Sequence, residues 1–206
     1  MFKQAVYNAD LTECLEIGYF TNEKNEIQIE SFKPTTKKVP SVLPKKITSL
    51  KNAFKNNINI TISGIEHWDT SNVTNMAGMF FGATSFNQDI SKWDVSKVKT
   101  MNGMFKKAKK FNQPIGSWNT SNVTDMSGTL YWAYKYKQNI SKWNVSNVKK
   151  NSIYRHNVYD TNWILDYYVC TFCLVNFISP LVFNFGINNL WKMKQKGFLW
   201  KKIFYF

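Results

Sequence analysis

Apolar residues in the middle of the chain recur at the spacing of one face of a helix. Starting from Val73, they fall at Met76, Phe80 and Ala83. This spacing favours an amphipathic helix, and Ser71 just upstream is a residue type that commonly caps a helix N-terminus. The stretch FNQDISKWDV that follows carries separated apolar residues bounded by Asp and Asn. We therefore predict a short helix followed by a short strand or turn.

The same pattern returns every 25 residues. A unit of this length cannot bury its apolar face alone, so repeated units are expected to stack on one shared core. We predict an α/β repeat protein, a short solenoid with one short strand or turn and one short helix per unit. The predicted core positions are Trp68, Trp93, Trp118, Trp143, Val73, Val98, Val123, Met76, Met101, Met126, Phe80 and Phe105.

The segments before the regular units follow a different pattern. In residues 1–41, two alternating apolar runs flank a polar turn, which predicts a β-hairpin at about residues 15–32 followed by a Pro-containing linker. Residues 42–67 carry the repeat spacing in degenerate form. They are predicted to cap the array, because terminal repeats are commonly atypical, and residues 68–150 hold the regular units.

The repeat stops matching at residue 150, and residues 151–206 form an atypical aromatic-rich tail. A possible membrane segment lies at 163–191, because Tyr167 to Trp191 carries no charge and lysines follow it. Alternatively, the tail is a frame-slipped, non-native product, because the break falls at two lysines whose codons are A-rich. A packed C-terminal cap is a third interpretation.

The units WDTSNVTNMAGMF and FNQDISKW, together with the head segment TECLEIGYF, carry a family resemblance. They resemble the 25-residue repeats of BspA-type, leucine-rich-repeat-like surface proteins, most closely their mollicute (mycoplasma) branch, over about residues 10–150. The resemblance implies a leucine-rich-repeat-like solenoid with a cell-surface or membrane-associated location and a role in adhesion. It implies no catalytic residues. The N-terminal residues lack the apolar stretch of a secretory signal, so none is expected.

Charge adds one candidate binding patch. The chain has 27 Lys and Arg against 13 Asp and Glu, a net charge of +14. Four lysines cluster at Lys106, Lys107, Lys109 and Lys110, near the end of a predicted helix, and could meet an anionic partner. Nonspecific binding of nucleic acid or anionic membrane is the alternative function. Arg155 is the single arginine, which argues against sequence-specific recognition of nucleic acid.

The sequence contains no recognisable catalytic, metal-binding or cofactor-binding set. His67 has no partner at ligand spacing, and Asp69 and Asp94, with Asn119 and Asn144, follow the tryptophans as turn residues. We therefore expect a non-catalytic interaction protein that binds a protein or glycan partner. The third hypothesis is that the chain is a truncated, frame-slipped family member without a function of its own.

Overall fold

The computed structural model describes residues 1–149. The membrane-segment, frame-slip and cap hypotheses for residues 151–206 fall outside these residues. Among the residues described, no helix is long and apolar enough to cross a membrane.

Short strands near the N-terminus form one three-stranded and one two-stranded antiparallel sheet. In chain order the strands are β1 Phe2–Lys3, β2 Val6–Tyr7, β3 Cys14–Glu16, β4 Tyr19–Thr21 and β5 Ile27–Ile29. The three-stranded sheet has the order β1-β4-β5, and β2 pairs with β3 in the other.

Strands β4 and β5 are the two arms of a hairpin, in the region where the sequence predicts one. Tyr19 lies opposite Ile29, and the polar residues 22–26 close the turn. Asn22 holds this turn, because its Oδ1 accepts hydrogen bonds from the backbone N–H groups of Lys24 and Glu26 at 2.9 and 3.0 Å. Such side-chain to backbone bonds are the reason that Asn favours turns.

The predicted helix in each 25-residue unit is wrong, and the α/β solenoid fold class is wrong with it. Residues 1–149 contain no α-helix; their helical segments are single 3-10 turns at Ile65–His67 and Ile115–Ser117. Each 3-10 turn ends immediately before a core tryptophan. The described part of the chain is therefore nearly all β, built from small antiparallel sheets, single β-bridges and consecutive turns.

Left-handed residues, four positions apart, prevent the helix. In the unit after Trp68, Gly78 has φ 63° and Gly82 has φ 70°, and a right-handed helix cannot pass through such residues. The chain makes successive turns instead, with the N–H of Phe81 bonded to the carbonyl of Gly78 at 2.9 Å. Four units within residues 1–149 have such a pair: Asn52 and Asn56, Gly78 and Gly82, Gly103 and Lys107, Gly128 and Trp132.

Alternate backbone N–H groups in these turns bond to the next unit rather than to their own. The N–H of Gly78 donates to the carbonyl of Asn102, and that of Phe80 to Met104, both at 2.8 Å. Single parallel β-bridges connect the same layers through Ser49, Asn75, Thr100 and Asp125. The bridges therefore lie in the half of the unit predicted as helix, whereas the segment around Trp93, predicted as extended, forms no strand in the described chain.

One hydrophobic core joins the N-terminal sheets to the repeated units. Ile29 of β5 is fully buried, and Phe32 stacks on Phe54 at 4.7 Å between ring centroids. Phe54 in turn stacks on Phe80 at 5.6 Å. The core continues through each regular unit to Val148. The head segment and the repeats thus share this core.

Candidate functional site

The residues predicted as repeat core are packed inside the protein and are not available to a ligand. Each is at most 6% exposed. They comprise Trp68, Trp93, Trp118, Trp143, Val73, Val98, Val123, Met76, Met101, Met126, Phe80 and Phe105.

The tryptophans stack between units, and three of the four bond to a carbonyl of an earlier layer. Trp68 and Trp93 have ring centroids 6.5 Å apart, and Trp118 and Trp143 are 6.4 Å apart. The indole N–H of Trp93 donates to the carbonyl of Ile65 at 3.1 Å, whereas that of Trp118 is buried without an acceptor among the described residues. Burial and stacking therefore give the recurrent Trp a structural role that explains its spacing.

The Asp or Asn after each Trp closes a turn, as the sequence predicts. The backbone N–H of Ser96 donates to Asp94 Oδ1 at 2.8 Å, and the N–H of Ser71 donates to Asp69 Oδ1 at 3.1 Å. Bonds from the serine lower the pKa of both carboxyl groups. Ser71 is therefore a turn partner of the aspartate, and not the helix cap that the pattern suggested.

The predicted lysine patch divides into two pairs. Ala108 is fully buried between them. Lys109 and Lys110 are exposed on the turn that follows, whereas Lys106 and Lys107 are half-buried. No helix dipole acts on these lysines, because the helix on which they were predicted to lie does not exist.

Lys106 and Lys107 lie between aromatic rings of the units on either side. The ammonium of Lys106 is 5.2 Å from the ring centroid of Tyr131 and 5.8 Å from that of Phe81. The ammonium of Lys107 is 5.1 Å from the Trp132 ring and 5.7 Å from Phe81. These distances are those of cation–π contacts.

We call this surface the aromatic–lysine strip: Lys55, Phe81, Lys106, Lys107, Tyr131 and Trp132. Lys55 belongs to it because its ammonium lies 5.6 Å from the Phe81 ring. Lys55 and the three aromatic residues were not among the predicted binding residues. Their repeat position could have indicated them, because Phe81, Lys106 and Tyr131 each stand thirteen residues after a repeat tryptophan and should therefore stack in neighbouring units.

The positive charge of the strip is not neutralised from within the described residues. Among residues 1–149, Lys3 pairs with Glu16 and Lys38 with Glu13, and neither pair includes a residue of the strip. The strip lysines are therefore held in place by aromatic faces and remain able to meet an external anion.

Two buried or half-buried titratable groups in the described chain, Cys14 and Tyr7, are held in their protonated forms. Burial raises the pKa of the Cys14 thiol to about 11 and that of the Tyr7 hydroxyl to about 12, so both stay protonated near neutral pH. Between residues 1 and 149, no group of three or more His, Cys, Asp or Glu side chains is placed to hold a metal ion.

Comparison with known proteins places the chain in a family. Residues 48–165, more than half of the chain, match the family described as "Mycoplasma protein of unknown function, DUF285". No curated protein and no solved structure matches the chain.

Proposed function

We propose a non-catalytic binding function for this chain, which belongs to the mycoplasma protein family of unknown function DUF285. Its partner would be an anionic protein or glycan, and the binding surface would lie on the repeats. The observation that carries the proposal is the aromatic–lysine strip, where Lys106 and Lys107 lie over aromatic rings without a carboxylate partner in the described chain.

The charge of the repeats supports an anionic partner. Residues 68–150 contain twelve lysines against four aspartates, a net charge of +8. Asp69, Asp89 and Asp94 use a carboxylate oxygen to accept a bond from the serine two residues later. These acids are bonded to the turns and are outnumbered by the lysines, so the repeats carry an excess of positive charge that can attract an anion.

Binding to immobilised partners tests this function. We expect the full chain to be retained by one class of anionic partner, an acidic glycan or an acidic protein, at about 0.15 M salt. Retention by none of them would overturn the proposal. Equal retention by acidic glycan, oligo(dT) and anionic vesicles, lost for all between about 0.05 and 0.15 M salt, would establish the nonspecific alternative instead.

We also propose that the protein acts at the cell surface. The resemblance of its repeats to BspA-type surface proteins supports this location and a role in adhesion. Protease treatment of intact cells is the test. We expect the repeats to be cleaved on intact cells; cleavage only after lysis would overturn the surface location, while the binding function would stand on its own test.

A further inference from the structure

We propose that the aromatic–lysine strip binds an acidic polysaccharide whose carboxylates recur on every second sugar. The inference rests on the proposed binding function and names its site and ligand class. Lys55 and Lys106 would meet successive carboxylates, Lys107 would add a third ammonium group, and the aromatic rings would hold these cations in position.

The lysines of the strip are arranged before any ligand arrives. Lys106 lies between the rings of Phe81 and Tyr131, and Lys107 between those of Phe81 and Trp132. Tyr131 and Trp132 stack on each other at 4.8 Å between centroids. A free lysine loses considerable side-chain entropy when a ligand fixes it, and a lysine that is already held loses less.

Glycines form the floor beneath Lys106. A Cβ placed on Gly103 would stand 3.7 Å from the Lys106 Cβ and 3.9 Å from its Cδ, and one on Gly128 would stand 4.0 Å from the same Cδ. The lysine stem therefore lies along two glycine backbones, with its ammonium at the surface. Long cationic side chains commonly pack their methylenes in this way.

The spacing of the cations favours the polysaccharide. Lys55 comes from the unit before Phe81 and Lys106 from the unit after it, so two layer spacings, about 10 Å, separate their positions. Carboxylates on alternate sugars of an extended polysaccharide recur at a similar interval. Alternate side chains of an extended peptide are only about 7 Å apart, which fits two such lysines less well.

The aromatic rings argue against single-stranded nucleic acid as the ligand. Proteins that bind single strands stack the bases on open aromatic faces. Here lysine ammonium groups lie over the faces of Phe81, Tyr131 and Trp132. The strip therefore presents cations to the ligand, and the rings serve mainly as their support.

The test compares two charge-matched double variants of the full chain. Lys55→Gln with Lys106→Gln removes two strip charges and keeps most of each stem. Lys92→Gln with Lys142→Gln removes two charges from exposed lysines elsewhere on the repeats. Binding is measured to a hyaluronan oligosaccharide long enough to span the strip, and to polyglutamate and oligo(dT) of equal charge. Circular dichroism and urea unfolding establish that both variants fold.

We expect the native chain to bind hyaluronan more tightly than polyglutamate or oligo(dT). The strip variant should lose at least about tenfold in affinity, because two charge-assisted contacts disappear, and the control variant should lose much less. Equal losses in the two variants would overturn the site. Tighter binding of polyglutamate would overturn the ligand class while leaving the anionic-partner function intact. Tighter binding of oligo(dT) would overturn both. Binding to none of the three would overturn both.

Discussion

Gly78, Gly103 and Gly128 occupy the same place in successive units, with φ values of 63°, 59° and 63°. An L-residue with a side chain pays a steric penalty in this left-handed region. The surroundings of these glycines differ, however. A Cβ on Gly78 would overlap the side-chain oxygen of Asn52, whereas a Cβ on Gly103 would make only ordinary contacts. The two positions therefore separate backbone strain from steric overlap.

Replacement of Gly103 by alanine should cost about 1 kcal/mol of unfolding free energy, because strain is partly offset by a less flexible unfolded chain. Gly78→Ala should cost somewhat more, since the end of the Asn52 side chain must also move. Urea unfolding followed by tryptophan fluorescence measures both. The double variant Gly78→Ala with Asn52→Gly is the control: glycine accepts the φ of 59° at position 52, so this variant should remove the overlap but not the strain at position 78. Equal costs for the two single variants would contradict this account.

Asp69 and Asp94 should make the fold sensitive to acid. Serine bonds lower the pKa of both carboxyl groups in the folded state. Their stabilising contribution is therefore complete above the unfolded pKa of about 3.9 and is lost as pH falls through the lower folded value. In the variant Asp69→Asn with Asp94→Asn, this loss should be smaller.

The urea midpoint measured from about pH 6 down to about pH 3 tests this expectation. Asn119 and Asn144 accept the same serine N–H bond in later units, at 3.2 and 3.0 Å, so the asparagines should preserve the turn. The native and variant curves should converge or cross on acidification. Curves that stay parallel would show that these carboxylates do not contribute.

At the scale of the element, apolar spacing could not distinguish a helix from successive turns. Both arrangements return a side chain to the same side every three or four residues, so Val73, Met76 and Phe80 are buried in either. The distinguishing signal lies in the glycines and asparagines four residues apart, such as Gly78 and Gly82. These residues tolerate φ above zero and are poor in helix interiors.

The aromatic–lysine strip could not be predicted from the sequence either, because the apolar spacing indicated a helix where the chain forms successive turns. A helix would have placed Lys106 and Lys107 about 100° apart around its axis. In the turns, the left-handed residue Lys107 keeps its ammonium beside the same ring as Lys106. The hairpin and the turn-closing aspartates could be predicted, because the hydrogen bonds that form their turns join residues two to four positions apart.

Asn112, which follows the buried Phe111, connects two neighbouring units through its side chain. Asn112 Oδ1 accepts the backbone N–H of Lys137 at 2.8 Å and the Gln138 amide at 3.2 Å. Asn112→Ala should lower the free energy of unfolding by about 1 kcal/mol, because these donors lose their acceptor. Asn112→Asp keeps the oxygen and should cost much less. Urea unfolding compares the two variants. Equal losses of unfolding free energy would show that the bonds to Asn112 Oδ1 do not stabilise the fold.

At the scale of the whole molecule, the bonds between units keep a fixed offset. The N–H of Gly78 reaches the carbonyl of Asn102, and the N–H of Gly103 reaches that of Ser127, both at 2.8 Å. Each of these bonds joins residues 24 positions apart, whereas the bond from Asn52 in the longer first unit to Ala77 spans 25. Removal of one complete unit therefore brings equivalent donors and acceptors together.

Deletion of residues 93–117 should leave a folded protein with a smaller urea m-value, because less surface is buried. The carbonyl of Ser127 would then meet Gly78 in place of Asn102. Deletion of residues 93–104, about half a unit, leaves these donors without equivalent acceptors and should abolish cooperative unfolding. Tryptophan fluorescence during urea titration distinguishes the two. Similar behaviour of both deletions would contradict a fixed register.

The constant offset also has a consequence for how such a gene can change. A segment that encodes one unit can be lost or duplicated in frame, and the backbone bonds on either side still find equivalent partners. The number of layers, and with it the number of lysine and aromatic positions on the outer face, can then change by recombination alone. The length of the surface that can contact a long ligand would then change by whole units, and no new contact between units would have to evolve.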